Sequence, residues 1–445
     1  MIRHNSLFQF SRIDKAFLPS PLRKAPKMSP ERLFRGIKDY LARDRRNNQV
    51  SVYCHIPFCK RRCAFCDLYT LSLNRENRPL FEQYVHSLVK EIGLWKGIVA
   101  RRTVTTIHFG GGTPSCIPAD DMHRILQALR HSFPITDETE IAIEMASRDL
   151  TREYRLFLHR EKARRIHVGV QSLDDRIRKE MGRVDPAEKL LQKIQSTLQE
   201  GFILSVDLIF GLPGQSLDSF LADLSTLIGT GVHGFSLYEL QIPGNNPLGV
   251  DKIKDFLRDR RLNYAMFCEG KKRLEDSGYE QNFFVHFSRS LDKNLYCTYP
   301  SRNEEGIALG TLADGKAGPW FFTNAPFHEY ARQLSNGQTP IGNGYKMSGE
   351  EMMVQKVEIG LLGTMLRTSV LSSITDNLRH EFSELSSHWE SAGLVEKTDD
   401  GQSLRVTGKG CWFMGNMIEQ LRHDLLKGRN VVGRTRQRSP DLSGE

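Results

Sequence analysis

Cys59, Cys63 and Cys66 stand at the spacing C-x3-C-x2-C, while the other five cysteines (Cys54, Cys116, Cys268, Cys297 and Cys411) are dispersed. Thiolates in such a group suit an iron–sulfur cluster or zinc. In a four-iron cubane, three cysteines leave one iron open to a chelating small molecule. A zinc site would want a fourth protein ligand, usually from a paired C-x2-C element, and His55 could supply it only with an awkward backbone. Further along runs Phe109-Gly110-Gly111-Gly112-Thr113-Pro114-Ser115. Its glycines let backbone amides approach a ligand closely, although alone the run is equally a tight loop. Asp207 sits in the apolar run Val206–Phe210 and needs a partner, because burying a bare charge is costly. From residue type alone, Glu144 reads as a surface carboxylate. Gln171, Arg183 and Asp207 read as structural hydrogen bonds or ion pairs, and Tyr53 and Phe65 as core packing.

The elements that must position these residues alternate from about Asn48 to Ala325. β-rich runs at Val50–His55, Thr105–Phe109, Glu140–Met145, Arg165–Val170, Leu204–Phe210 and Gly234–Ile242 predict six strands. Helical patterns lie between and after them, at Pro79–Trp95, Ala119–Ser132, Thr151–Arg160, Pro186–Gln199, Leu217–Ile228 and Lys252–Asp276. Pro79, Pro118 and Pro186 mark helix starts, and Gly201, Gly231 and Gly278 mark helix ends. Six strand–helix repeats predict an α/β fold with a parallel sheet, either open and doubly wound or a barrel. In both, ligands gather at the carboxyl ends of strands, where the candidate residues fall.

Five segments are expected: an N-terminal extension (1–47), the strand–helix domain (48–334), a polar linker (335–349), a small C-terminal domain (350–426) and a disordered tail (427–445). The C-terminal domain reads helix, helix, helix, hairpin, which is a winged-helix pattern. Its turn, Thr398-Asp399-Asp400-Gly401-Gln402, has two aspartates and no Lys or Arg, a poor fit for gripping phosphate. The net charge of +9 is spread over short groups, so no nucleic-acid partner is expected. A mean hydropathy of −0.42, no apolar run long enough to span a bilayer and no secretion signal place the chain in the cytoplasm. Residues 1–27 mix basic and aromatic residues, which leaves room for a peripheral membrane contact.

The segment Tyr53-Cys54-His55-Ile56-Pro57-Phe58-Cys59, running on to Cys63 and Cys66, resembles the radical S-adenosylmethionine (SAM) signature. It is similar to the branch typified by oxygen-independent coproporphyrinogen III dehydrogenase, over about Val50 to Leu425. The resemblance implies a partial (β/α)6 TIM-type barrel with a small winged-helix-like C-terminal domain. It implies a [4Fe–4S] cluster on Cys59, Cys63 and Cys66, with SAM on the open iron. One electron would then cleave SAM into methionine and a 5′-deoxyadenosyl radical. By the same resemblance, Tyr53, Phe65, Gly111, Gly112, Thr113 and Glu144 contact this SAM. In relatives that bind two SAM molecules, the residues matching Gln171, Arg183 and Asp207 contact the second. An electron donor such as flavodoxin or ferredoxin, and a monomer, are expected.

Some positions depart from the branch. Cys63-Ala64-Phe65-Cys66-Asp67-Leu68 has no fourth cysteine where the dehydrogenase usually has Cys-Gly-Cys, and Tyr238-Glu239-Leu240-Gln241-Ile242-Pro243 replaces its Tyr-Ala-x-Leu-Pro. Lys293-Asn294-Leu295-Tyr296-Cys297-Thr298-Tyr299 lacks the His and Trp of the haem-chaperone branch. What remains resembles the class C methyltransferases. The expected function is therefore transfer of a methyl(ene) carbon from a second SAM to an sp2 carbon of a planar substrate: haem, a quinone or a heteroaromatic natural product. The alternatives are oxidative decarboxylation of coproporphyrinogen III and a haem-chaperone role. Asn294, Tyr296, Glu239 and the loop Gly310–Gly315 would face the substrate, or else serve as packing and turn residues.

Overall fold

The computed structural model describes residues 28–43, 48–66, 68–241 and 259–426. It divides into two compact units, one of Ser29–Gly344 and one that begins at Tyr345. In the first unit β1 (Gln49–Ile56) leads into a two-strand clasp, β2 (Phe58–Cys59) and β3 (Leu71–Ser72). Then come β4 (Thr103–Gly111), β5 (Glu140–Ala146), β6 (Arg165–Gln171), β7 (Ile203–Phe210) and β8 (Gly234–Glu239). After these follow β9 (Glu280–Phe283), β10 (His286–Ser288), β11 (Glu305–Leu309), β12 (Asp314–Ala317), β13 (Trp320–Asn324) and β14 (Ile341–Lys346).

One sheet runs β14-β13-β12-β11-β1-β4-β5-β6-β7-β8-β10-β9. The six expected strands form its parallel middle in sequence order. The expectation was short by one parallel strand, since β11 pairs with β1 in parallel. Both margins are finished by antiparallel strands. The helices Arg78–Trp95, Ala119–Ser132, Arg152–Arg160, Ala187–Gln199 and Leu217–Thr230 lie within a residue or two of their expected bounds. Local chemistry sets those ends. Ala119–Ser132 has acids in its first turn and Arg130 and His131 in its last, which complements the helix dipole. Leu217–Thr230 opens with a Ser216/Ser219 capping box and ends at Gly231 with φ 83°.

Two differences have physical causes. The segment 335–349, expected as a linker, contains β14. Its glycines admit close strand approach rather than breaking structure: a Cβ on Gly342 would lie 2.8 Å from Ala325 Cα, and one on Gly344 2.4 Å from Phe321 O. Part of the expected extension is a helix, Pro30–Arg43, whose Leu33, Ile37 and Leu41 are buried. The expectations for residues 1–27, 242–258 and 427–445, the disordered tail among them, fall outside the described residues. Among the described residues no helix is long and apolar enough to cross a membrane.

Register decides which side chains meet. Tyr53 pairs with His108, His108 with Ala142, Glu144 with His167, and Gly169 with Asp207, which pairs in turn with Ser236. Side chains alternate along a strand, so these residues share one face. Val52, Cys54, Ile107, Ile143, Val168 and Leu208 take the opposite face and are fully or almost fully buried. Each such aliphatic side chain contributes on the order of 2 kcal/mol. The chemical face is the inner one. Asp292 touches Arg165 on β6 and Ser205 on β7, while Tyr296, four residues on, stacks on Tyr53 of β1. Flat, β1 and β7 would lie about 19 Å apart, and the curl of a partial barrel brings both within reach of this short segment.

The second unit has helices Gly349–Leu362, Thr368–Ser372 and Asp376–Ser391, with β15 (Met365–Arg367) after the first. The hairpin of β16 (Val395–Lys397) and β17 (Ser403–Val406) follows, then helices Gly408–Trp412 and Met414–Leu425. The small sheet runs β15-β17-β16. Helix, helix, helix, hairpin is the order expected from the sequence. A two-point ion pair, Arg422 to Glu358 at 2.6 and 2.9 Å, ties the last long helix to the first.

Candidate active site

The cysteine loop leaves the carboxyl end of β1 and is stitched down at several points. Leu73 N donates to Cys59 O at 2.8 Å, Gly112 N to Ile56 O at 2.7 Å and Thr113 N to Phe58 O at 2.8 Å. Farther out, Ala64 N donates to Met181 O at 3.3 Å, and Cys66 N to Cys63 O at 3.2 Å. Cys59 is buried, with its Sγ 3.1 Å from Thr113 Oγ1, while Cys63 and Cys66 are partly exposed. Burial pushes the Cys59 thiol up to about 11, and Cys66 and Cys63 add to the rise against the Thr113 hydroxyl, which lowers it. Three thiolates here are costly without a cation between them, which is what an iron–sulfur cluster supplies. Among the described residues no three His, Cys, Asp or Glu side chains are grouped to hold a single metal ion. The donor set fits a cluster with a thiolate at each of three corners and a fourth corner open.

Beside this loop the glycine turn closes against β1. Gly111 has φ 108°, and a Cβ there would lie 2.6 Å from the His55 ring; one on Gly112 would lie 2.7 Å from Phe58 O. Glycine is required at both. Gly110 sits between Glu144 and Tyr53. Glu144 is not a lone surface acid, because His108 Nε2 lies 2.9 Å from its Oε1. Tyr53, His108 and Tyr296 form a stack, with centroids 5.0 Å apart for Tyr53–Tyr296 and 4.5 Å for His108–Tyr296. His55, lowered to about 4 by burial against the opposing Glu144 charge, faces the Tyr53 hydroxyl at 3.1 Å.

A second group lies over β6 and β7. Gln171 has φ 70°, a strained backbone for a non-glycine residue. The buried Arg178 guanidinium holds this turn by donating to Val170 O, Ser172 O and Asp185 O at 2.8–3.0 Å. Gln171 and Arg183 both reach over Gly169. Arg183 sits 5.4 Å above the Phe65 ring, which joins the cysteine loop to this group. Phe65 and Tyr238 border an apolar patch of Ile177, Met181, Ile209, Leu212 and Leu240. Asp207 has its required partner in His167, at 2.5 Å. Several buried polar atoms here lack a partner among the described residues: His55 Nε2, His108 Nδ1, Gln171 Oε1 and Arg183 Nε. Such atoms are expensive unless a ligand satisfies them.

All twelve residues singled out in the sequence thus stand at or around the carboxyl ends of β1 and β4 to β7. Tyr296 joins them. Glu239 instead accepts from Asn263 at 3.0 Å, and Gly310 is bound into a buried network with Glu91 and Asn324. Sequence reasoning missed His108, His167 and Arg178. The alternation of β4 and β6 could have flagged the two histidines as inner-face residues; nothing local marks Arg178.

Residues 53–227 match the family model described as the Radical SAM superfamily. An oxygen-independent coproporphyrinogen III oxidase from Synechocystis sp. is 30% identical over 398 residues, 83% of this chain and 84% of the relative. The chain belongs to the radical SAM superfamily. Within it, the chain falls in the branch of the oxygen-independent coproporphyrinogen III oxidases. An anaerobilin synthase from Escherichia coli O157:H7 is 26% identical over 429 residues, 94% of each chain. The solved coproporphyrinogen III oxidase (HemN) from Escherichia coli, a radical SAM enzyme, superposes with a TM-score of 0.76 at 22% identity, over 87% of this chain and 93% of that one, which supports the fold. The cofactors of this radical SAM enzyme are a [4Fe–4S] cluster and SAM. None of these three relatives is named as a methyltransferase, so the expected methyl transfer is a finer reading than the comparisons carry.

Proposed function

We propose that this radical SAM enzyme acts on a tetrapyrrole, with Cys59, Cys63 and Cys66 holding its cluster. The carrying observation is that relatives matching it over 83% or more of both chains are named for coproporphyrinogen III and for a bilin, both tetrapyrroles. When bound, cluster and SAM supply a 5′-deoxyadenosyl radical. The chain's own residues place and shield it. Gly111, Gly112 and Thr113 offer backbone and hydroxyl groups to the methionine end of SAM, Glu144 accepts from its amino group, and Tyr53 and Phe65 flank it. Gln171, Arg183 and Asp207 form a second adenosyl-binding group, supported by the unpartnered atoms of Gln171 and Arg183 and by the adjoining apolar patch. The electron comes from a donor such as flavodoxin or ferredoxin. The eight free cysteines fit the reducing cytoplasm.

Oxidative decarboxylation of a porphyrinogen propionate to a vinyl group is the first reading, supported by the 30% identical relative. Carbon transfer from a second SAM to a haem-type ring is the second. It is favoured by the match to anaerobilin synthase over 94% of both chains, and by the absence of a fourth cysteine after Cys66. Anaerobic incubation with dithionite and methyl-deuterated SAM, with coproporphyrinogen III and haem in separate tubes, decides between them. Carbon dioxide and a vinyl product from coproporphyrinogen support the first reading. Deuterium in a haem-derived product, with S-adenosylhomocysteine formed, supports the second. Reductive SAM cleavage that leaves both tetrapyrroles intact contradicts the proposal.

A further inference from the structure

Four histidines line the inner side of this barrel, and three have closed rings. His286 uses both nitrogens, on the Ser236 hydroxyl at 2.9 Å and on Asp292 at 3.0 Å. His108 gives Nε2 to Glu144, and its Nδ1 is sealed from solvent. His55 faces Tyr53 through Nδ1, and its Nε2 is sealed. His167 differs. Its Nε2 is committed to Asp207 Oδ1 at 2.5 Å, while its Nδ1 has no protein partner among the described residues and is not sealed. It therefore opens to the chamber.

Two residues along the same strand is Gly169. A Cβ there would fall 2.6 Å from Gln171 Nε2 and 3.0 Å from Arg183 Nη2, so two further donors converge above this glycine. Arg183 Nε is buried without a partner. Asp207, paired with Gly169 across the ladder, is engaged by His167. An open ring nitrogen and a guanidinium over the next inner-face position of the same strand make a cradle for an anion with two oxygens.

We propose that His167 is a carboxylate-binding residue of this chamber: braced by Asp207, it donates Nδ1–H to a ligand carboxylate lying over Gly169, with Arg183 supplying the second charge. Two ligands carry such a group. One is a tetrapyrrole with free propionates, and this arm rests on the proposed function. The other is the amino-acid end of a second SAM, which rests on the second adenosyl-binding group proposed above and not on a tetrapyrrole substrate. The charge on His167 agrees with the geometry. Burial alone would lower its pKa, but the Asp207 carboxylate overrides that and raises it. Glu144 adds to the rise and Arg165 opposes it. His108 and His286, also close by, are both lowered by burial, which favours their neutral forms. Of the four histidines only His167 has its pKa raised, which favours its imidazolium form.

The test is equilibrium binding to the anaerobically reconstituted full-length protein, before any turnover. Coproporphyrin III is compared with its tetramethyl ester, and S-adenosylhomocysteine with 5′-methylthioadenosine, which lacks the carboxylate. His167→Gln should weaken one carboxylate ligand about tenfold, the size of a lost charge-assisted hydrogen bond. It should leave the matching ester or thioadenosine unchanged. Wild-type affinity for that ligand should fall as pH rises through the raised His167 pKa, and His167→Gln should be flat. Asp207→Asn should move the fall to lower pH. A shift in the porphyrin arm assigns the carboxylate to a propionate; a shift in the homocysteine arm assigns it to SAM. Equal losses for acid and ester, or no change in either arm, overturn the proposal. A wild-type protein that binds neither porphyrin removes the tetrapyrrole reading, while the homocysteine arm still tests His167.

Discussion

The floor and the mouth of the same barrel carry the same kinds of polar group but treat them oppositely. At the floor, Arg165 is fully buried and donates to Asp292 at 2.9 Å and to Ser205 at 3.1 Å. Asp292 also accepts from Asn294 N and pairs with His286, leaving one guanidinium nitrogen, Nη1, without a partner. At the mouth, His55, His108, Gln171 and Arg183 each keep a buried atom unpaired, and Gln171 holds a strained backbone. The floor network, closed but for that one nitrogen, serves stability. One left open, where strand ends and glycine turns converge, is prepared for a ligand, and its cost is carried by the rest of the fold.

That contrast can be broken by substitution. The largest stability effect belongs to the floor. Asp292→Ala strands a buried guanidinium and should cost about 3–5 kcal/mol, read from denaturant midpoints, with iron bound per folded molecule unchanged. At the mouth, Glu144→Gln should do the reverse. Its side chain is 41% exposed, so stability should move by less than about 0.5 kcal/mol, while SAM affinity falls about tenfold by equilibrium dialysis. If Glu144→Gln unfolds the protein and Asp292→Ala spares it, the division between floor and mouth is wrong.

The parallel middle of the sheet was legible because each strand–helix unit has its own apolar pattern and its own cap. The helix Ala119–Ser132, between Pro118 and the dipole-matched His131, is read directly from local chemistry. The margins were not legible. β12 and β13 are four and five residues long, and Gly342 and Gly344 in β14 read as a break when their role is close packing. At the site, the cysteines and the glycine turn are contiguous motifs and could be found. The pairings of His108 with Glu144 and of His167 with Asp207 cross between strands 36 and 40 residues apart. No local window holds both partners, so only the register of the sheet reveals them.

The central claim is that this mouth holds a cluster on three cysteines and cleaves SAM with it. The direct measurement is 5′-deoxyadenosine formed by the reduced, anaerobically reconstituted protein, in wild type and in Cys63→Ala, with iron content and melting temperature read alongside. Cys63 is partly exposed, so its loss should leave the fold intact. The account predicts 5′-deoxyadenosine and methionine from the wild type. It predicts a folded but colourless variant that forms neither. A Cys63→Ala protein with a full iron complement that still cleaves SAM, or a loaded wild type that makes no 5′-deoxyadenosine, would contradict it.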